Sequence, residues 1–138
     1  MKVVLHRRYH FSASHRLHQP ATAGWTEAEN LRVYGKCANP HGHGHNYVLD
    51  VAMSGPMDPA TGMITNLADL DRFVEREILA EFDHVYLNEQ VAAFREAVPT
   101  TENICKVIFK RLRPYPYARL ETIGVEETGA NSFEYAGE

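Results

Sequence analysis

The densest chemical signal in the chain is Cys37-Ala-Asn-Pro-His41-Gly-His43-Gly-His45-Asn-Tyr47. On a β-strand, residues two apart project to the same face. His43 and His45 on a strand would therefore hold two imidazoles side by side, a bidentate grip on a metal ion. Gly42 and Gly44 remove side chains beside the site and let a ligand approach the backbone. A third imidazole, His15, ends the segment Phe11-Ser-Ala-Ser-His15. If that segment and residues 43–54 are paired antiparallel strands, the end of one meets the start of the other, and His15 joins the pair. Three histidines without a fourth protein ligand fit a catalytic zinc site, open to water or a substrate oxygen. Imidazole also suits copper, iron and nickel. Adventitious metal binding or a set of surface turn residues is the lesser alternative for a tight histidine cluster; the strand pattern and the strand-end histidine argue for a built site.

Four further residues could do chemistry. Cys37 lies close enough in the chain to reach the open side of such a metal. Metal and histidine neighbours would lower its pKa and favour the thiolate, although an isolated cysteine also serves as a small buried hydrophobe. Asp83-His84 pairs a carboxylate with an imidazole, the composition of a general acid/base couple. Adjacent strand residues point apart, so direct contact needs an irregular turn; a histidine resting on a helix C-terminal dipole is the alternative. Glu127 shares a strand face with Ile123 and Val125. A carboxylate ending an apolar face needs a partner, and a flat heterocycle with adjacent N–H donors would supply one. Glu126 has nearly equal local claim. Cys105 follows Ile104 in an apolar helical stripe and reads as structural.

These residues must be positioned by a small set of elements. Residues 3–11 read as a strand, with Val3, Leu5, Tyr9 and Phe11 on one face and Arg7 as the exception. Leu17 to Lys36, punctuated by Pro20, Gly24, Asn30 and Gly35, reads as a long loop. Residues 43–54 alternate as a second strand. Leu67, Leu70, Val74 and Ile78 form an amphipathic stripe opened by a cap at Asn66. Ile104, Val107, Ile108 and Leu112 form another, led in by Pro99 and Thr100 and ended by Pro114 and Pro116. Two strands, near 118–127 and 132–136, close the chain around Thr128-Gly129-Ala130-Asn131, a loop longer than the tightest turns. The order ββααββ predicts an α+β fold: a four-stranded antiparallel sheet with two helices on one face.

Composition sets the outer limits. With 138 residues there is room for one domain, expected to span 1–138, and none for separate cofactor and substrate domains. Hydrophobic residues at 44% and charged residues at 23% describe an ordinary globular chain rather than a disordered one. A net charge of −4 argues against nucleic acid as a partner. No segment approaches the ~20 apolar residues of a membrane span, and the start of the chain lacks a signal-peptide core. A cytoplasmic location is the expectation. Two cysteines cannot make a disulfide scaffold, whereas eight histidines are an excess that asks for a role.

Read together, these residues resemble the 6-pyruvoyl-tetrahydropterin synthase family. The resemblance rests on Phe11-Ser-Ala-Ser-His15-Arg-Leu, Gly35-Lys-Cys37, Asn39-Pro-His-Gly-His43-Gly-His45-Asn-Tyr47, Asp58-Pro-Ala-Thr-Gly-Met63, Asn66-Leu-Ala-Asp-Leu70, Asp83-His84, Pro99-Thr-Thr-Glu102-Asn103 and Glu127-Thr128, all in one order. It implies the tunnelling fold (T-fold), with sheets joined into a trimeric barrel and two trimers stacked as a homohexamer. It implies Zn2+ on His15, His43 and His45, Cys37 as catalytic cysteine, and Asp83 and His84 as acid/base pair. It also implies Glu127 as the carboxylate that anchors the pterin ring, with Thr100, Thr101 and Glu102 lining the pterin pocket between subunits. The implied substrate is dihydroneopterin triphosphate, with Mg2+ accompanying its phosphates. Arg16, Lys36, Arg7 and Arg8 are the candidate phosphate cations.

The resemblance leaves two products open. The pyruvoyl enzyme reads Cys-x5-His-Gly-His; the related 6-carboxy-tetrahydropterin synthase, which releases acetaldehyde and triphosphate, reads Cys-x3-His-Gly-His. Cys37 satisfies both, through His43 and through His41. Gly44 and the following Asn46-Tyr47 favour the longer frame. A non-catalytic zinc- and pterin-binding protein is the third alternative.

Overall fold

The computed structural model describes residues 2–138. The chain opens with β1 (Val4–His15). It continues through a 3-10 turn at Ala21–Ala23, helix α1 (Glu27–Tyr34) and a 3-10 turn at Gly35–Ala38. Then come β2 (His43–Ser54) and α2 (Leu67–Val74), which runs on through a π-helical turn (Glu75–Leu79) into α3 (Ala80–Phe82). A two-residue strand β3 (Val85–Tyr86), a short α4 (Leu87–Gln90) and a 3-10 turn at Ala92–Arg95 lead to α5 (Thr101–Leu112). The hairpin of β4 (Arg119–Thr128) and β5 (Asn131–Tyr135) ends the fold.

The strands form one sheet in the order β3-β1-β2-β4-β5. The expected four-stranded antiparallel sheet is therefore corrected to a five-stranded mixed one. The added strand, β3, lies parallel to β1, with Ala13 opposite Val85 and Ser14 opposite Tyr86. Two residues are too few to show alternation, so no local pattern announces this strand. The first strand also runs four residues beyond its expected end, to His15, while Val3 lies outside it.

The long 17–36 segment is corrected as well, because it contains α1. Thr26 and Glu29 form a capping box at its start: the Thr26 side chain accepts from the Glu29 backbone, and the Glu29 side chain accepts from Thr26. Helix α1 leaves Leu31 and Val33 exposed, so it shows no clean apolar stripe by which to be recognised. The closing turn is shorter than expected, since Thr128 already pairs with Asn131.

The rest follows the sequence pattern. One sheet face buries Tyr9, Phe11, Tyr47, Leu49, Val51, Met53, Ile123 and Val125 against Leu70, Val74 and Ile78 of the α2 run and Ile104, Ile108 and Leu112 of α5. Each such side chain contributes about 1.5–3 kcal/mol. Leu67, the first residue of the predicted stripe, stays exposed at the helix start. The Asn66 side chain caps α2 by accepting from the backbone of Ala68 and Asp69. Arg7, the polar exception on the apolar face, is neutralised by Asp71 of α2, which also accepts from the Tyr9 hydroxyl. The opposite sheet face is polar, with His6, Arg8, Asp50, Thr122 and Glu126 around an open cavity. No helix of the described residues is long and apolar enough to cross a membrane.

Candidate metal centre and active site

The register of β1 against β2 creates the centre. His15 ends β1 directly opposite His43, the first residue of β2. His45 follows two residues on, on the same face. The Nε2 atoms of His15 and His43 stand 3.0 Å apart. One donor atom from each of His15, His43 and His45 falls within 4.8 Å of the others. A tetrahedral zinc with bonds of about 2.0–2.1 Å places neighbouring donors about 3.3 Å apart, which the His15–His43 pair approaches, and the group of three could hold a metal ion.

His15 is wholly buried, and its second nitrogen decides its form. Nδ1 lies 2.8 Å from the Pro99 carbonyl, which can only accept. Nδ1 therefore carries the proton and Nε2 the lone pair, the arrangement of a metal ligand held from behind. Burial pushes the His15 pKa down to about 4, against a smaller upward pull from the Pro99 carbonyl. Burial lowers that of His43 too. Both are neutral near pH 7, the form that binds metal. The His45 Nε2 is buried with no hydrogen-bond partner. A buried nitrogen left unpaired costs free energy unless something fills its lone pair. That orphaned atom supports a metal ion as the missing occupant.

Cys37 sits half-buried in the 3-10 turn before β2, its carbonyl accepting from the Leu17 backbone at 2.8 Å. The lowering expected for this thiol belongs to the site with a metal bound; the protein's own groups act in the other direction. Burial, and then the Glu127 carboxylate, push this thiol up. A cation held by the neighbouring histidines would pull the thiol down.

Between the two adjacent glutamates, strand alternation decides. Glu126 is exposed on the polar face, in the cavity with Arg8 and Asp50. Glu127 is half-buried near the histidines and Cys37. Burial disfavours its charge, but the Thr101 hydroxyl donating to it, His45 nearby and Asn131 outweigh that, and its pKa lies below the usual carboxylate range. Thr100 caps α5 by accepting from the Asn103 backbone. Thr101 is buried, and Glu102 is exposed in the first turn of α5.

Asp83 and His84 do meet: His84 Nδ1 lies 2.9 Å from Asp83 Oδ1. The irregular turn this requires is a left-handed backbone at His84, φ 59, the one positive φ outside glycine among the described residues. Asp83 also accepts from the Ser12 backbone at 2.8 Å. The exposed His84 borders a groove with Ser12, Ser14, Gly44, His45 and Asn46. Among the described residues no hydrogen bond or ion pair joins either to Cys37 or Glu127.

His41 is exposed and lies outside the three-histidine cluster. It lines a separate cavity with Arg16, His18 and Arg95. Two of the four candidate phosphate cations are removed. Arg7 is held by Asp71, and Arg8 faces Asp50 on the polar side. Both lie on the order of 25 Å down the strand from His15 at about 3.4 Å per residue. Arg16, whose Nε donates to the Ala38 carbonyl, and the exposed Lys36 remain beside the site. Sequence reasoning missed Pro99 as the partner of His15. A backbone carbonyl in a distant loop leaves no residue-type signal.

The family model described as 6-pyruvoyl tetrahydropterin synthase matches residues 4–138. The chain belongs to this family. It is 44% identical over 133 residues to human 6-pyruvoyl tetrahydrobiopterin synthase, covering 96% of this chain and 90% of that protein. A solved structure of the Caenorhabditis elegans 6-pyruvoyl tetrahydropterin synthase has a TM-score of 0.92 at 37% identity, covering 100% of this chain and 97% of that one. The 6-pyruvoyl tetrahydropterin synthase family thus accounts for the sheet, the helices and the order of motifs. A putative 6-carboxy-5,6,7,8-tetrahydropterin synthase of Archaeoglobus fulgidus is 37% identical over 91 residues, covering 66% of this chain and 71% of that protein.

Proposed function

We propose that the chain is a zinc-dependent lyase of tetrahydrobiopterin biosynthesis that converts 7,8-dihydroneopterin triphosphate to 6-pyruvoyl-tetrahydropterin, with elimination of triphosphate. The observation that carries the proposal is the meeting of three metal-competent imidazoles with Cys37 and Glu127 at one end of the sheet. The human relative bears the name of this activity and aligns over nearly the whole chain.

Glu127, ionised at neutral pH, accepts hydrogen bonds from the adjacent N–H groups at the edge of the pterin ring. That contact directs the substrate side chain toward the histidines. Zinc, when bound by His15, His43 and His45, supplies Lewis acidity toward the side-chain oxygens. Cys37 as thiolate removes a proton from a side-chain carbon. His84, oriented by Asp83, moves protons to and from the side-chain oxygens. Elimination and tautomerisation then complete an internal redox rearrangement without nicotinamide. Arg16 and Lys36 face the triphosphate, which Mg2+ accompanies.

His84 reaches the reacting atoms from a neighbouring subunit in this reading. The lack of any hydrogen bond or ion pair between Cys37 and Asp83 or His84 among the described residues supports that placement, as does the outer edge of β1, which β3 covers only at Ala13 and Ser14. Joining that open edge to the β5 edge of another copy gives a closed ring of sheets, and sedimentation is expected to report a hexamer.

Incubating the metal-loaded protein with 7,8-dihydroneopterin triphosphate is expected to yield triphosphate and 6-pyruvoyl-tetrahydropterin. Acetaldehyde release would instead identify the 6-carboxy reaction. The Archaeoglobus relative and the Cys37-to-His41 spacing favour that second reading, while the position of His41 outside the ligand cluster weighs against it. Pterin binding without turnover would indicate a binding protein.

A further inference from the structure

We infer that Thr101 is a positioning residue for the Glu127 carboxylate, and that the corner Pro99–Thr101 holds the ring anchor and the metal ligand His15 in fixed relation. The inference rests on the reading of Glu127 as the ring anchor and assigns Thr101 a role behind the pocket rather than in its lining.

Thr101 is 2% exposed, so its hydroxyl has little access to a ligand. Its proton goes to Oε2 of Glu127. Each carboxylate oxygen has two lone pairs. Thr101 takes one on Oε2 and leaves the second, while Oε1 has only a long 3.5 Å contact with the Asn131 side chain. A carboxylate fixed in this way keeps both oxygens available to a ligand with two adjacent N–H donors, the edge of a 2-amino-4-oxo heterocycle. The backbone alone does not fix it, because Glu127 sits where the β4–β5 register shifts, between Glu126 and Thr128.

Thr101 can orient Glu127 because its own corner is braced. The Asn103 side chain donates to the Val98 carbonyl at 2.8 Å, and the Thr100 backbone donates to the same carbonyl at 2.8 Å. The Thr100 hydroxyl caps the helix behind it. Two residues before Thr101, the Pro99 carbonyl accepts from His15. One three-residue corner therefore sets the direction of an imidazole on β1 and a carboxylate on β4. The distance between ring anchor and metal ligand follows from that shared support.

The test compares Thr101→Val, which keeps the shape and loses the hydroxyl, with Thr101→Ser, which keeps the hydroxyl. The probe is 7,8-dihydroneopterin without phosphates, titrated by fluorescence against zinc-loaded and metal-stripped protein. The expected result is a Kd raised about tenfold or more for T101V in both forms, the scale of a lost hydrogen bond to a charged group. T101S stays within about twofold of wild type, and zinc content per chain is unchanged in both variants. If T101V does not fold, Thr101→Ala takes its place against T101S. Binding by the hydroxyl-free variant equal to wild type overturns the inference, as does equal loss in T101S. Failure of the wild-type protein itself to bind the probe overturns the ring-anchor reading, and this inference with it.

Discussion

His84 Nδ1 contacts the carboxylate of its chain neighbour Asp83 at 2.9 Å, because the His84 backbone is left-handed. The carboxylate is in turn tied to β1 through the Ser12 backbone. An exposed imidazole is thus held in one orientation by a strand that it does not belong to. His84→Ala is expected to lower kcat by about 10²–10⁴, the usual worth of a positioned acid/base. Pterin affinity and unfolding midpoint should change little, since the ring is exposed. Steady-state kinetics beside urea denaturation checks this.

Asp83 adds a pH dependence. The Ser12 N–H, foremost, and His84 hold its pKa below the ordinary carboxylate value, against a smaller burial effect. A carboxylate depressed in the folded state contributes stability above its unfolded pKa of about 3.9 and loses it as pH falls through the folded value. Asp83→Asn should therefore destabilise the protein at pH 7 by about 0.5 kcal/mol, a figure discounted because the side chain is 39% exposed. The difference should shrink below about pH 4. Denaturation midpoints at pH 7 and pH 3 decide it.

Cys37→Ala is expected to abolish turnover while zinc content, assembly and pterin binding persist. Its thiol is a reacting group in the proposed mechanism and ligates nothing in the histidine cluster. Metal should also govern its reactivity. Burial and Glu127 raise the thiol pKa in the bare protein, so alkylation by iodoacetamide should be slower after chelation than with zinc restored. An unchanged rate would count against a cation beside this thiol.

Gly42 tests the link between backbone and metal. Its φ is +70, and a Cβ there would stand 3.1 Å from the His15 carbonyl oxygen. Gly42→Ala combines left-handed strain with a backbone collision, for which about 1–3 kcal/mol is the ordinary cost. His15 would have to shift, so zinc affinity should fall with stability. Thermal unfolding and a competitive chelator titration measure the two losses.

Chelation of the wild-type protein should lower Tm, because an ion that binds only the folded state stabilises it by mass action. His45→Ala should erase most of that response. His41→Ala should leave it intact, since His41 lies outside the cluster. Calorimetry with and without chelator separates the two.

Much of this protein is legible in its residues. The alternation of 43–54, the stripes from Leu67 to Ile78 and from Ile104 to Leu112, and the Asn66 cap all depend on neighbours a few positions apart. Local spacing therefore reports them. The pairing of His15 with His43 follows from the same alternation once two strands are taken as antiparallel. Other features left weaker traces. Helix α1 showed only its capping box, and β3 is too short to have a period.

What tertiary structure alone decided is which atoms meet across long stretches of chain. The tautomer of His15 depends on a carbonyl 84 residues away. The orientation of Glu127 depends on a hydroxyl 26 residues before it, and the removal of Arg7 from the phosphate candidates on an aspartate 64 residues on. The sequence by itself determined the elements and the donor types. Their second partners were set only when packing brought distant backbone and side-chain groups within hydrogen-bond reach, an outcome that no local period encodes.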